Sequence, residues 1–441
     1  MGWRGKKRQV EQLVRTAAAE TGRLARAIHS LAEPPFLEVE SSRLLAEYLD
    51  RAGFRVGFDF RRIPTAFRAV WGRGKPVVGV LGEFDALPDC GQAPDSWGHG
   101  CGHNLLGVGS ALAATLVKAA LAARGRRGTV VYYGCPAEEA LAGKVYMARD
   151  GAFRELDACI AWHPGAGAGV RAGGGSALDS LVYEFFGRTA HGAHAEGGRS
   201  ALDAAILMDV AVNYLREHVP ENVRIHSVIP EGGDAPNVVP AYAKIWYYLR
   251  GQDREQVDGI RKRMDACARG AALATETTPK ITRLTAVYSR LPNETFAEVM
   301  LDNLRLFRAP AVTSADRKRA KQAGLSGQFN VKLGGISRKP GRASSDEDNV
   351  SWLAPLGGLA MVCYPKGVRG HHRTLAAQAD APFALRGMRQ AAKVMAGAAL
   401  DLCADPALMR RIKAEFRRRL GGFVYKPLIP KRQKIPVAAK P

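Results

Sequence analysis

Four short runs of almost uninterrupted apolar residues constrain this chain more than anything else in it. Residues 75–81 (KPVVGVL), 128–134 (GTVVYYG), 156–162 (LDACIAW) and 359–364 (LAMVCY) are short for helices and too apolar to leave one face in water. Strands of that kind are buried on both faces, as in parallel or mixed sheets covered by helices. Helical spacing of apolar residues fills the intervals. It runs over residues 9–31 until Pro34-Pro35, over 38–52 until Gly53, and over about 105–123. The chain is therefore predicted to be α/β, a mixed and mostly parallel sheet flanked by helices.

Between residues 178 and 288 the pattern changes. Strands are predicted at 181–186, 223–229, 241–250 and 279–287, and helices at 200–218 and 254–273. That order, β-α-β-β-α-β, is a ferredoxin-like α+β unit. A chain of 441 residues exceeds what one core usually holds. We therefore expect an inserted domain, 178–288, interrupting a larger one made of 1–177 and 289–441.

Charge separates the regions further. The chain carries a formal charge of +22. Residues 315–342 hold eight basic side chains and one acidic, residues 410–441 eleven and one, whereas the inserted unit holds thirteen basic and fourteen acidic. Clustered cations can bind phosphates without sequence preference, but no nucleic-acid module accompanies them. The reading is a basic fringe on an otherwise balanced protein, with nucleic acid not expected as a partner. Segment 315–342, rich in Lys, Arg, Gly and Ser, is expected to be an exposed loop or a mobile excursion. The stretch after Gly421, with Pro427, Pro430 and Pro436, is expected to lie over the surface. The apolar stretch 110–123 is interrupted by Lys118 and too short for a bilayer, so no membrane association is expected. Seven cysteines, odd in number and without paired spacing, suggest a reducing, cytoplasmic setting.

The chemistry concentrates where strands end. In GHGCGHN, Cys101 and His103 are two residues apart and lead into a helix. Thiolate and imidazole suit zinc and related metals. Glu138 and Glu139 follow one strand in GCPAEE, His163 follows another in WHP, and the pair His371-His372 follows a third. In open α/β sheets ligands bind beyond the carboxyl ends of strands. A single histidine or a loop cysteine can be structural, but the whole set points to a metal centre. Asp85, in GEFDALP, is either a ligand or a carboxylate that orients a ligating imidazole. His99 is the weaker neighbour of His103, and Cys135 reads as packing.

The ordered series GEFDALP, GHGCGHNLLG, GCPAEE, WHP, GRTAHGAHAEGGRSALDA and PNVVP, spread over residues 34 to about 402, resembles a known family. These are the dinuclear metallo-amidohydrolases and peptidases that include aminoacylases, hippurate hydrolases and glutamate carboxypeptidase. The resemblance implies two divalent ions per chain, zinc or manganese, held by Cys101, His103, Glu139, His163 and His371. His371 is preferred over His372 by the ungapped register to Arg386-Gly387-Met388. It implies Glu138 as general base, and His191 as a residue reaching the partner subunit's active site to polarise the scissile carbonyl. Asn237 and Arg250 would hold the substrate's carboxylate or carbonyl, although by themselves they read as a turn residue and a strand-end cation. The match of Asn349, in SSDEDNVSW, is loose. The inserted domain would dimerise and move as a lid.

The expected activity is hydrolysis of an amide bond in an N-acyl amino acid or small peptide by a homodimer. A homologous second subunit remains open as a further partner. The narrowest expectation is an acidic, aminobenzoyl-glutamate-like substrate. An N-acyl-amino-acid deacylase or a dipeptidase is the alternative. From another class, an inactive binding protein using its basic surface for anionic partners is disfavoured, because a degenerate relative would more often have lost part of the set.

Overall fold

A computed structural model of the chain describes residues 3–60, 62–339, 341 and 343–437. Its strands are β1 (Arg55–Gly57), β2 (Phe67–Arg73), β3 (Val77–Glu83), β4 (Gly128–Cys135), β5 (Ala158–Gly165), β6 (Ala168–Arg171), β7 (Ala177–Phe186), β8 (Arg224–Glu231), β9 (Tyr242–Gly251), β10 (Thr278–Val287), β11 (Leu333–Ser337) and β12 (Leu356–Val362). Eight of them form one sheet in the order β1-β2-β4-β3-β5-β12-β6-β11. Its centre, β4-β3-β5-β12, is parallel throughout, and these are the four apolar runs read from the sequence. Antiparallel neighbours occur only outside that centre, at β1-β2, β2-β4 and β12-β6.

Helices cover both faces because the central strands have no polar face to offer water. On one side, the helices Trp3–Leu31, His103–Ala122, Glu294–Phe307 and Pro382–Ala404 enclose the larger core, which includes Val80, Leu112, Ile160 and Met388. On the other, the helix Gly143–Arg149 packs over Leu81, Tyr133 and Cys159. Among the described residues, His103–Ala122 is the one helix long and apolar enough to cross a bilayer, but 78% of its most apolar window is buried inside the protein.

The second sheet is antiparallel, in the order β10-β7-β9-β8. Two helices cover one of its faces: Ala201–Leu215, capped by the Ser200 side chain, and Arg254–Ala274, capped by Asp253. This is the ferredoxin-like arrangement expected from the element order. Its alternation is visible in β9, where every second residue is buried.

Two expectations need correction. Segment 315–342 is not a bare loop. It holds the helix Ser314–Gln322, started by a reciprocal capping box between Thr313 and Asp316, and the edge strand β11, parallel to β6. The many cations obscured a helix whose periodicity is weak because little of it is buried. The stretch after Gly421 does not simply lie over the surface either. Tyr425 and Ile429 are buried in the core beneath the helix Gly143–Arg149. Gln433 donates to the Arg283 carbonyl of β10, and Arg283 donates to the Leu428 carbonyl. The prolines interrupt secondary structure without preventing burial. In addition, the first helix begins at Trp3 rather than near residue 9, and Lys6 is drawn into an ion pair with Asp401 at 2.7 Å.

Candidate metal centre

The parallel centre of the sheet sends four chain segments past its carboxyl edge, and the chemistry collects there. β3 ends at Glu83, with Asp85 just beyond, and β4 leads to Glu138 and Glu139. His163 lies near the end of β5, and His371 follows β12. Cys101 and His103 open the helix His103–Ala122. Gly102 between them has φ +78°, and a Cβ there would collide with the Tyr364 hydroxyl. Only glycine fits this turn, which lets a thiol and an imidazole two residues apart serve the same cavity.

Several side chains are aimed before any ion is considered. The buried His103 donates through Nδ1 to Asp85 at 2.7 Å, which leaves Nε2 facing the cavity. The other Asp85 oxygen accepts from the Glu139 backbone N–H at 2.8 Å. Asp85 is thus an orienting carboxylate, the second of the two readings left open by the sequence. His163 donates through Nδ1 to the Pro164 carbonyl at 2.7 Å, so its Nε2, 3.3 Å from Cys101 Sγ, keeps its lone pair. His371 Nε2 lies 3.6 Å from Glu139. His372 instead turns away and caps the next short helix by accepting from Thr374 N–H. The geometry therefore favours His371 for the cavity. His371 and Ala137 both occupy the left-handed region, with φ +55° and +54°. Such backbone strain costs on the order of 1 kcal/mol and persists where the surroundings enforce it.

Potential ligand atoms form three overlapping groups: Cys101, His103 and His163; Cys101, Glu139 and His371; and Glu83, His103 and Glu138. Within each group the atoms lie inside 4.8 Å of one another. His103 Nε2 and Glu139 Oε1 are buried without a hydrogen-bond partner. Burial, together with neighbours such as Asp85 and Glu83, pushes the Glu139 carboxyl up to about 7. Burial and the charges of Glu83, Asp346 and Glu139 also raise Glu138 well above the carboxylate range. A crowd of buried acids, a thiol and orphaned imidazole nitrogen is a cradle for positive charge, and the donor set fits divalent zinc-type metals.

Beneath the cradle lies a buried network. Lys144, fully buried, pairs with Glu83 at 2.7 Å and with Asp346 at 2.5 Å. Arg290 pairs with Asp348 at 2.7 Å and with Glu347. Sequence reading missed these residues. Glu83 was findable, since it lies two positions from Asp85 at the same strand end, whereas Lys144 gives no signal before its helix is placed.

The remaining expected residues divide. Arg250, on β9, donates to Ser344 at 2.9 Å. Burial, then the charges of His103 and Arg250, hold His371 below the usual imidazole range. Among the described residues, no hydrogen bond or ion pair joins Arg250 to the cluster. His191 and Asn237 are exposed on neighbouring loops joined by the Gly192 N–H to Asn237 carbonyl bond at 2.7 Å. Among the described residues, no hydrogen bond or ion pair links either to the cluster. Asn349 is buried in a structural role, accepting from the Tyr288 N–H and donating to Tyr425. The His99 ring hydrogen-bonds to the Ile28 carbonyl, away from the cluster, and the Cys135 thiol lies in the core.

A parallel sheet whose carboxyl edge gathers cysteine, histidine and paired glutamates, with a ferredoxin-like unit set into it, defines a metal-dependent hydrolase class. The model of the peptidase dimerisation domain matches residues 177–276. The chain is 36% identical to one of the subunits of p-aminobenzoyl-glutamate hydrolase of Escherichia coli (strain K12), over 90% of this chain and 92% of that one. It is 29% identical to the Xaa-Arg dipeptidase of Mus musculus, over 94% and 93% respectively. A solved Bacillus subtilis structure, described as a dinuclear metal binding peptidase from the M20 family, superposes with a TM-score of 0.56 at 19% identity, covering 86% of this chain and 99% of that one. The chain belongs to the M20 family of amide-bond hydrolases and peptidases.

Proposed function

We propose that this chain hydrolyses the amide bond of an N-acyl amino acid or small peptide, with an acidic, aminobenzoyl-glutamate-like compound as the narrowest substrate class. The observation that carries this reading is the gathering of Cys101, His103, Glu139, His163 and His371 in two groups that share Cys101, where His103 Nε2 and Glu139 Oε1 lack hydrogen-bond partners. These five residues would hold two divalent ions, zinc or manganese. When bound, such ions supply Lewis acidity and bring the pKa of water towards neutrality.

The chain's own groups do the rest. Glu138, whose Oε2 lies 3.9 Å from His103 Nε2, takes the proton of the attacking water and passes it to the departing amine. Burial and the neighbouring acids raise its proton affinity, and the bound cations would lower it again, so that it is ionised and able to take a proton. Arg250 offers a planar guanidinium to a substrate carboxylate. His191, with Asn237 beside it, would polarise the carbonyl in the active site of a second subunit.

A homodimer is supported by the inserted unit, for which 178–288 serves as the working boundary. The helix Ala201–Leu215 buries Ala204, Met208 and Val212 while exposing Ile206, Leu207, Val210 and Tyr214 as a stripe on its other side. The adjacent edge strand β8 exposes Val228 and Ile229. An apolar stripe beside an open sheet edge invites pairing with a copy of itself. The Escherichia coli relative is named as a subunit of its enzyme, which keeps a homologous second subunit among the proposed partners. All seven cysteines are free, which supports a reducing cytoplasmic setting.

The test is a panel of N-acyl glutamates, other N-acyl amino acids and dipeptides, assayed with zinc, manganese and cobalt, alongside metal analysis of the purified protein. About two divalent ions per chain and loss of hydrolysis on chelation are expected. Full activity in protein shown to be metal-free would reject the reading.

A further inference from the structure

A second unbalanced cluster lies away from the metal centre, and its charge is positive. The helices Trp3–Leu31 and Pro382–Ala404 run against each other with a groove of about 260 Å³ between them. Its floor includes Ala18, Gly22 and Leu385, and its walls carry Arg26, Arg386 and Arg389. Gly22 matters for space. A Cβ there would come within 3.0 Å of Arg389 Nη2, so a residue that weakens the helix by about 1 kcal/mol makes room for a guanidinium.

Only one of the three cations in this groove has a matching anion among the described residues. Arg386 is paired with Asp316 through one terminal nitrogen, and Arg389 donates to the Ala18 carbonyl at 2.6 Å. The Nε atoms of Arg386 and Arg389 are buried with no hydrogen-bond partner. Among the described residues, no acidic side chain forms an ion pair with Arg26 or Arg389. Burial and the like charges of Arg26 and Arg386 push Arg389 below the usual guanidinium range. One turn further along, burial and the charges of Lys7, Arg15 and Arg389 lower Lys393 despite Glu11. Arg389 is partly buried between Arg386 and the exposed Arg26, and like charges gathered in this way are relieved when an anion bridges them. A tetrahedral oxyanion accepts from several guanidinium donors at once, which a monatomic anion cannot do with the same geometry.

We propose that the groove between these two helices is a binding site for a phosphate-type oxyanion, held by Arg26, Arg386 and Arg389, with any organic remainder lying on the apolar floor. The site is separate from the metal centre but mechanically connected to it. At the end of the first helix the Ile28 carbonyl meets His99 at 3.0 Å, and His29 meets the Ala376 carbonyl at 2.8 Å. Those contacts reach the segments that carry Cys101 and His371, so an anion that braces the helix braces both.

The experiment uses the full chain dialysed against the neutral chelator 1,10-phenanthroline, so that phosphate cannot bind a metal ion. Calorimetric titration with inorganic phosphate, and separately with glycerol 3-phosphate, is run at ionic strength fixed with sodium chloride. Saturable binding of one phosphate per chain is expected. Arg389→Lys and Arg26→Glu should each weaken it by roughly tenfold or more. Arg26 is exposed, so Arg26→Glu keeps the test decisive if the Arg389 variant folds poorly. Tighter binding of glycerol 3-phosphate would assign the site to a phosphorylated metabolite, and equal binding to phosphate itself; either supports it. No saturable binding, or binding that Arg26→Glu leaves unchanged, would overturn it.

Discussion

The cluster at the carboxyl edge of the large sheet and the loops of the inserted unit were both expected to act on substrate, yet one chain assembles only the first. Around His103, every expected ligand lies within reach of another, and Asp85 aims the imidazole that faces the cavity. His191 and Asn237 sit together, exposed, and hydrogen-bond only locally among the described residues. Arg250 stands between these extremes, half-buried on β9 of the second sheet and donating to Ser344. The difference teaches that strand ends of a parallel sheet bring potential ligands together within one polypeptide. The loop groups of the inserted unit gain a role under the proposal that they serve another subunit.

Removing chemistry from the assembled side should have the largest effect. Glu138→Gln keeps the shape of the side chain but cannot take a proton. We expect kcat to fall by about 10²- to 10⁴-fold, with metal content unchanged, because Glu138 is not among the five proposed ligands. Turnover and metal stoichiometry measured on the same preparation check this. An unaltered kcat would remove Glu138 from the base role and leave Glu83, 3.4 Å from His103 Nε2, to be examined.

The unassembled side is tested by complementation. His191→Ala and Glu138→Gln subunits, each inactive as homodimers, are mixed after dissociation. If His191 serves the partner's cavity, half the dimers are mixed and each has one intact site, so about a quarter of wild-type activity should return. No recovery in dimers verified as mixed would place His191 in its own chain's site or outside catalysis.

The same contrast explains what could be read in advance. The four buried strands and the order of the inserted unit were legible because each leaves a local signature, an apolar run or a period; Cys101, His103, the Glu138-Glu139 pair, His163 and the His371-His372 pair stood out at strand ends, but the choice within each pair came from the family resemblance. Strand β2 was missed because its sequence FRAVWGR alternates only briefly before turning polar, and β11 because LGGIS has almost no side chains to pattern. Lys144, Asp346 and Arg290 were illegible for a different reason. Charged residues are ordinarily read as surface, and only the assembled fold shows that each meets an opposite charge in the interior.

The stretch after Gly421 yields the smallest expected effect on turnover and the sharpest test of how the two regions are joined. Read as sequence, its prolines and cations belong on the surface, which predicts that truncation changes little. The structure instead puts Ile429 at 3% exposure, next to a segment that links the helix Gly143–Arg149 to β10. Burying such a side chain stabilises by about 1.5–3 kcal/mol, and its removal leaves a cavity as well, so Ile429→Ala should cost about 2–5 kcal/mol. Since no proposed ligand or base is touched, kcat at 25 °C should change by less than about twofold while the melting temperature falls by several degrees. Thermal melts of Ile429→Ala and of a chain ending at Gly421 measure this, the truncation being expected to melt lower because it also removes the Tyr425 and Gln433 hydrogen bonds. Melting temperatures equal to wild type would return this stretch to the surface fringe. A large fall in kcat with no fall in stability would show that the stretch serves catalysis as well as packing.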